Sequence, residues 1–171
     1  KELGLYLEKG NSIRKQLGAL GFINDIPIQI SNQKTIKLLQ LTSLGKILLH
    51  DYGFNTKNEF ETKGGLEHAF WVNHVSNILK NNSYELSYEH QGIDILATRN
   101  DKKIAIEVET GNSYPTKNIL KCLDLGYKTI ISIATKPEVY AQTRRFITYY
   151  KLQDRVTLVM AKDLSQTIFM K

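Results

Sequence analysis

Near the middle of this 171-residue chain, the stretch IAIEVETG (residues 104–111) sets Glu107 and Glu109 two positions apart among isoleucine, alanine and valine. Such a run predicts a strand, and side chains at i and i+2 of a strand share a face. The two carboxylates then stand side by side in the protein, or else face solvent on an edge strand beside lysines of a neighbour. Asp94, in GIDIL, is a third acid, flanked by Ile93 and Ile95. A tight turn around Asn100 and Asp101 brings it roughly opposite Glu107 across a strand pair. Carboxylates gathered this way suit a hard cation, because magnesium takes oxygen ligands near octahedral geometry and keeps several waters. A dication there would relieve the repulsion between the acids. It would also stabilise the charge of a phosphoryl transition state and generate hydroxide near neutral pH. The chemistry read from these residues is phosphodiester hydrolysis with Mg2+ or Mn2+, with Asp94, Glu107 and Glu109 as metal ligands. A glycosidase fits poorly, since adjacent acids on one strand leave no room for a sugar.

The elements that must position these acids can be read on either side of residue 55. Upstream, NSIRKQLGALGFI has helical spacing through Ile13, Leu17 and Leu20, with Asn11 or Ser12 as cap and Gly21 as stop. IPIQIS and TIKLLQLT alternate as a hairpin around SNQK, and LTSLGKILLHDYGF follows as a helix capped by Thr42 or Ser43. KELGLYL reads as a separate, earlier helix. Residues 55–65, NTKNEFETKGG, are polar and end in two glycines, as a linker does. Beyond it the pattern gives α-β-β-β-α-β-α-β: the helix LEHAFWVNHVSNILKNN, strands SYELSYEH, GIDILATRN and KKIAIEVET, the helix TKNILKCLDLGY, the strand KTIISIAT, the helix PEVYAQTRRFITYYKL and the strand RVTLVMAK. Glu67 lies one and two turns before Trp71 and His74 on one helical face, where it could hold a metal-bound water. Its plainer role is a first-turn glutamate favoured by the helix dipole.

Two resemblances follow from this order. Residues 1–54 resemble the later part of a winged helix-turn-helix domain, which implies a DNA-reading helix carrying Arg14 and Lys15 and a wing with Lys34 at its tip. A first helix is missing from that pattern, so the chain reads as beginning inside a domain of a longer protein. Residues 64–171 read as one domain that resembles, over about Gly64 to Lys162, the restriction-endonuclease-like PD-(D/E)xK nuclease superfamily, through the strand order, Asp94 in the second strand and the acid-x-acid pair in the third. The resemblance implies an α/β fold with a mixed central sheet, a divalent metal on Asp94 and Glu107, and a catalytic glutamate at Glu67. The superfamily pattern has lysine where this chain has Glu109. Some members carry glutamate there and others supply a lysine from the next helix, for which Lys117 and Lys121 are the candidates. The implied function is a metal-dependent DNA endonuclease. The competing reading is a catalytically silent DNA-binding or docking module that keeps the scaffold.

Composition is consistent with these readings. The formal charge is +6 and the excess is even, nine bases against six acids in residues 1–63 and fourteen against eleven in the rest. A basic balance favours a polyanionic partner. Arg144 and Arg145, interleaved with Tyr149 and Tyr150, add a basic and aromatic segment of the kind that meets nucleic acid, although a solvated helix face with buried tyrosines has the same composition. One cysteine, Cys122, excludes an internal disulfide and a Cys-based zinc site, and reads as a small buried residue in a reducing, cytoplasmic protein. His68, His74 and His90 fit no zinc spacing and read as packing or surface residues. No apolar run has the length of a membrane span. A homodimer is compatible with the sequence.

Overall fold

A computed structural model describes residues 7–55 and 64–169. The first of these segments runs through helix α1 (Leu7–Ala19), strands β1 (Ile23–Ser31) and β2 (Lys34–Leu41) and helix α2 (Ser43–Asp51). Helix α1 already includes Leu7, so Asn11 and Ser12 sit inside it rather than capping it. The expected earlier helix, KELGLYL, lies mostly outside the described residues. Thr42 caps α2: its hydroxyl accepts from the Gly45 N–H at 3.1 Å and donates to the Gly21 carbonyl at 2.6 Å, tying the end of the hairpin to the turn after α1.

The second segment runs α3 (Gly65–Asn81), β3 (Glu85–His90), β4 (Ile93–Arg99), β5 (Lys102–Glu109), α4 (Pro115–Asp124), β6 (Thr129–Ala134), α5 (Pro137–Tyr149) and β7 (Val156–Met160). This is the element order expected from the sequence. Gly64 and Gly65, expected to end a linker, open α3 instead. The five strands form one mixed sheet in the order β3-β4-β5-β6-β7, antiparallel from β3 to β5 and parallel from β5 to β7. The fold is α/β. Asn100 and Asp101 both take left-handed backbone (φ 49° and 62°), as a two-residue hairpin loop whose twist matches the strands requires.

Strand β5 is the middle strand, and from Ile104 to Glu109 every residue is buried. That is expected of a strand covered on both faces by helices. On one face Ile104, Ile106 and Val108 join Trp71, Val75 and Leu79 of α3 in the larger apolar cluster. On the other, Ala105 packs with Ile119 and Cys122 of α4 and Ile147 of α5. The hairpin β1–β2 belongs to the first cluster: Ile28 is buried in it, and Ile26, Ile30, Ile36 and Leu38 pack against it. Its tip is held by a hydrogen bond from Lys162 Nζ to Asn32 Oδ1 at 2.9 Å. The two described segments thus share one core. Among the described residues no helix is long and apolar enough to cross a membrane.

Candidate active site

Where β4 and β5 run out of their ladder, their acids meet. Ile95 pairs with Ile106, so Asp94 and Glu107 are the next residues to face each other. Asp94 Oδ2 accepts from the Val108 N–H at 2.8 Å and lies 3.0 Å from His68 Nε2. Glu107, 1% exposed, is not left to repel its neighbours: Lys121 Nζ sits 2.9 Å from its Oε1, and the Cys122 thiol donates to the same oxygen at 3.4 Å. Lys121 also donates to the Gly92 carbonyl. Burial, reinforced by the Asp94 charge, pushes the Glu107 carboxyl up to about 7 against the pull of Lys121. Cys122 is pushed up to about 12 by burial and by Glu107, so the thiol keeps its proton.

Glu109 is fully buried but lives in a separate cage. Ser113 Oγ donates to its Oε2 at 2.7 Å and Asn118 Nδ2 to its Oε1 at 3.0 Å. Burial raises its pKa, and these two hydrogen bonds work against that rise. Both oxygens already have protein partners, which separates Glu109 from the pair formed by Asp94 and Glu107. The solvent-face reading of the glutamates is excluded by their burial. Their side-by-side placement is accommodated by separate internal donors.

A cavity of about 320 Å³ opens over the pair, lined in part by His68, Glu89, Asp94, Glu107, Ser113 and Asn118. Glu67, the sequence candidate on α3, is half-buried and is not among the lining residues; His68, next to it, takes that place. The ring of His68 fits because residue 64 is glycine: a Cβ there would lie 2.7 Å from His68 Nδ1. That nitrogen is buried without a hydrogen-bond partner among the described residues. Burial lowers the His68 pKa, but the hydrogen bond and charge of Asp94, with Glu109 and Glu107 behind it, outweigh burial and raise it overall. Reading His68 as a mere packing histidine missed this contact; the sequence signal was the paired glycine one turn earlier. Glu89 was also missed. It carries left-handed backbone (φ 49°) where the β3–β4 register passes from Tyr88–Ile95 to His90–Ile93, a conformation that costs about 1–2 kcal/mol outside glycine.

Of the two lysines offered by α4, Lys121 reaches the acids, while Lys117 lies over the Tyr114 ring, 4.9 Å from its centroid. The other basic candidates lie apart from this cavity. Arg14 forms an ion pair with Asp25, with Lys37 on the same carboxylate, whereas Lys15 and Lys34 are exposed. Arg144 and Arg145 are exposed along a shallow groove on α5 with Tyr140 and Tyr149. The tyrosines of that segment are outside the core: Tyr149 and Tyr150 are 79% and 58% exposed.

Among the described residues no group of three or more His, Cys, Asp or Glu side chains is placed to hold a metal ion. The donor set that does converge is smaller. Asp94 Oδ1 and Glu107 Oε2 make no hydrogen bond among the described residues, and both carboxylates face the cavity. Two hard oxygens on an open cavity fit a hydrated magnesium or manganese ion, which commonly binds through one or two carboxylates and keeps its remaining waters. They do not fit zinc, whose sites usually take three or four protein ligands rich in nitrogen or sulfur. No protein-family model, no curated protein and no solved structure matches the chain.

Proposed function

We propose that the chain is a metal-dependent endonuclease that hydrolyses phosphodiester bonds in DNA, with a core of the restriction-endonuclease-like, PD-(D/E)xK kind. The observation that carries this reading is the meeting of Asp94 and Glu107, from β4 and β5, at one cavity, with Lys121 of α4 2.9 Å from the Glu107 carboxylate. A lysine arriving from the helix after the acid strand is what the resemblance asks for when the strand itself carries Glu109. In this reading Asp94 and Glu107 hold Mg2+ or Mn2+, which supplies Lewis acidity and a water of lowered pKa when bound.

The protein's own residues do the rest. The Val108 N–H and His68 fix one oxygen of Asp94 and leave the other toward the cavity. Lys121 pulls Glu107 toward its ionised form, against burial and the Asp94 charge, and brings a positive charge to where a phosphoryl group gains negative charge. Glu109 ties the loop before α4, through Ser113, to α4 itself, through Asn118, beside the cavity those two residues line. DNA contacts fall to the exposed Lys15 and Lys34 of a winged-helix-like N-terminal module and to Arg144 and Arg145, with Arg14 restrained by Asp25.

Plasmid, branched and single-stranded DNA incubated with magnesium, with manganese and with chelator test the proposal. The expected result is nicking or cutting that needs the metal and disappears in Glu107→Ala. DNA binding without cleavage of any form under either metal would replace this reading with that of a silent docking module.

A further inference from the structure

The strand that ends in Glu107 and Glu109 begins with two lysines, and its other end is a second place where like charges meet. Arg99 and Lys102 are directly paired across the β4–β5 hairpin. Like charges opposite each other on one face are destabilising. Lys103 is the next residue along, and Lys128 enters from the turn before β6, so that Arg99, Lys102, Lys103 and Lys128 line one cleft of about 730 Å³. Asp101 is the one acid in that lining. Among the described residues the three lysines make no ion pair with any acid. Arg99 is set in place: its guanidinium stacks over the Tyr84 ring at 4.5 Å and donates to the Asn82 carbonyl at 3.1 Å. Tyr127 adds a second aromatic to the lining.

We infer that this cleft binds the phosphodiester backbone of a nucleic acid. Four cations against one acid need a polyanion more than a single small anion, and a fixed arginine beside exposed lysines matches a row of phosphates better than one carboxylate. Lys103 shares its strand face with Glu107 and Glu109. Four residues of strand separate Lys103 from Glu107, roughly 13 Å at about 3.3 Å per residue. A strand of nucleic acid rises about 3.4 Å per nucleotide, so roughly four nucleotides span the distance from the acidic cavity to this cleft. The inference rests on the nucleic-acid reading of the molecule but is independent of its metal chemistry.

The test is binding in chelator, where nothing is cut. A fluorescent oligonucleotide, single-stranded and as duplex, is titrated with wild type, with Lys102→Gln/Lys103→Gln/Lys128→Gln and with Arg144→Gln/Arg145→Gln, over a range of salt. Removing three phosphate contacts should weaken affinity about 10-fold or more at low salt and reduce the slope of log K against log salt by about 2 for single strands and about 3 for duplex. Lys102, Lys103 and Lys128 are exposed, so the melting temperature of the triple variant should stay at or above that of wild type. Unchanged affinity and slope in the triple variant, with wild type binding normally, overturns the inference and leaves the nucleic-acid reading standing. Competition by millimolar inorganic phosphate as strong as by the same phosphate in oligonucleotide overturns it in favour of a small-anion site. Failure of wild type to bind either form overturns the nucleic-acid reading and the inference together.

Discussion

The two ends of the β4–β5 hairpin carry opposite charges and handle them differently. At the acidic end Glu107 and Glu109 are buried and Asp94 is half-buried, and each is met by donors within the chain: the Val108 N–H and His68 at Asp94, Lys121 and Cys122 at Glu107, Ser113 and Asn118 at Glu109. At the basic end Lys102, Lys103 and Lys128 are exposed and Arg99 is held by an aromatic face and a carbonyl. Burial explains the difference. A carboxylate removed from water must be met by fixed partners or take up a proton, because leaving its charge bare costs several kcal/mol. A charge in solvent is screened and can wait for a partner that arrives later. Buried like charges therefore announce a built site, and exposed ones a surface.

The sharpest way to break this comparison is to remove the charge on which the acidic end turns. Glu107→Gln keeps the shape of the side chain and its contact with Cys122, and should reduce metal-dependent cleavage by about 1,000-fold or more, since an amide is a poor ligand for a hard cation. Circular dichroism should be unchanged. Residual activity within 10-fold of wild type would place the chemistry elsewhere.

Next in size is the choice between the two lysines of α4. Lys121→Ala removes the cation beside Glu107 and should lower turnover about 100-fold, whereas Lys117→Ala, which loses only its contact with Tyr114, should stay within about threefold. Manganese titration by calorimetry sharpens the contrast, because Lys117→Ala should bind metal as wild type does. An equal loss of turnover in both variants would mean that the ion pair seen with Lys121 has no part in the reaction.

The same pair sets a pH dependence of stability in chelator. Glu107 is raised to about 7 in the folded chain, against about 4.5 when unfolded. Between those values the folded state binds the proton and the unfolded state does not, so stability falls as pH rises from about 4.5 to 7 and is flat for this group above that. His68, also raised, contributes stability at low pH that is lost as pH rises through its folded pKa, and so acts in the same direction. The drop attributable to Glu107 is at most about 3 kcal/mol. Denaturant melts of wild type and Glu107→Gln at pH 5 and pH 8 measure it: the wild-type curve should fall more steeply. Parallel curves would remove the strained carboxylate from the comparison.

Much of this arrangement was legible before the structure. The central strand and its acids stood out because a strand covered on both faces has no reason to hold charges unless something meets them. The mixed order of strands and helices followed from a change of apolar period between segments. What the sequence withheld depends on packing. Whether Glu67 or His68 faces the sheet is a question of helix phase, set when Trp71 and Val75 enter the core and when Gly64 makes room for the imidazole. Which of Lys117 and Lys121 reaches the acids depends on where α4 starts, and Pro115 starts it so that Asn118 and Lys121, one turn apart, serve the two glutamates in turn. Asn11 and Ser12 misled because cap-forming residues also survive inside an exposed helix at a cost of only about 0.5 kcal/mol each. The surroundings of Glu109 were hidden for a related reason: spacing places a carboxylate on a face but does not show that Ser113 and Asn118 donate to its two oxygens.

The smallest expected effect probes the basic end. Lys102→Glu puts a carboxylate opposite Arg99 and converts a repulsive cross-strand pair into an attractive one. Opposite charges facing each other across an antiparallel pair are worth about 0.2–1 kcal/mol, and the site is partly exposed, so the gain belongs at the lower end of that range. For a chain of this size that is about 1–2 °C in melting temperature. Screening gives the control: the gain should shrink in about 1 M salt, where the Debye length falls to about 3 Å. The same substitution should weaken oligonucleotide binding in the very variant that it stabilises. This opposition follows from reading the repulsion as kept for a polyanion. A variant that melts higher and binds nucleic acid as tightly as wild type would show that the cluster of cations at this end of the sheet serves no such partner, and would leave the acidic cavity as the one end of the hairpin whose charges have a use.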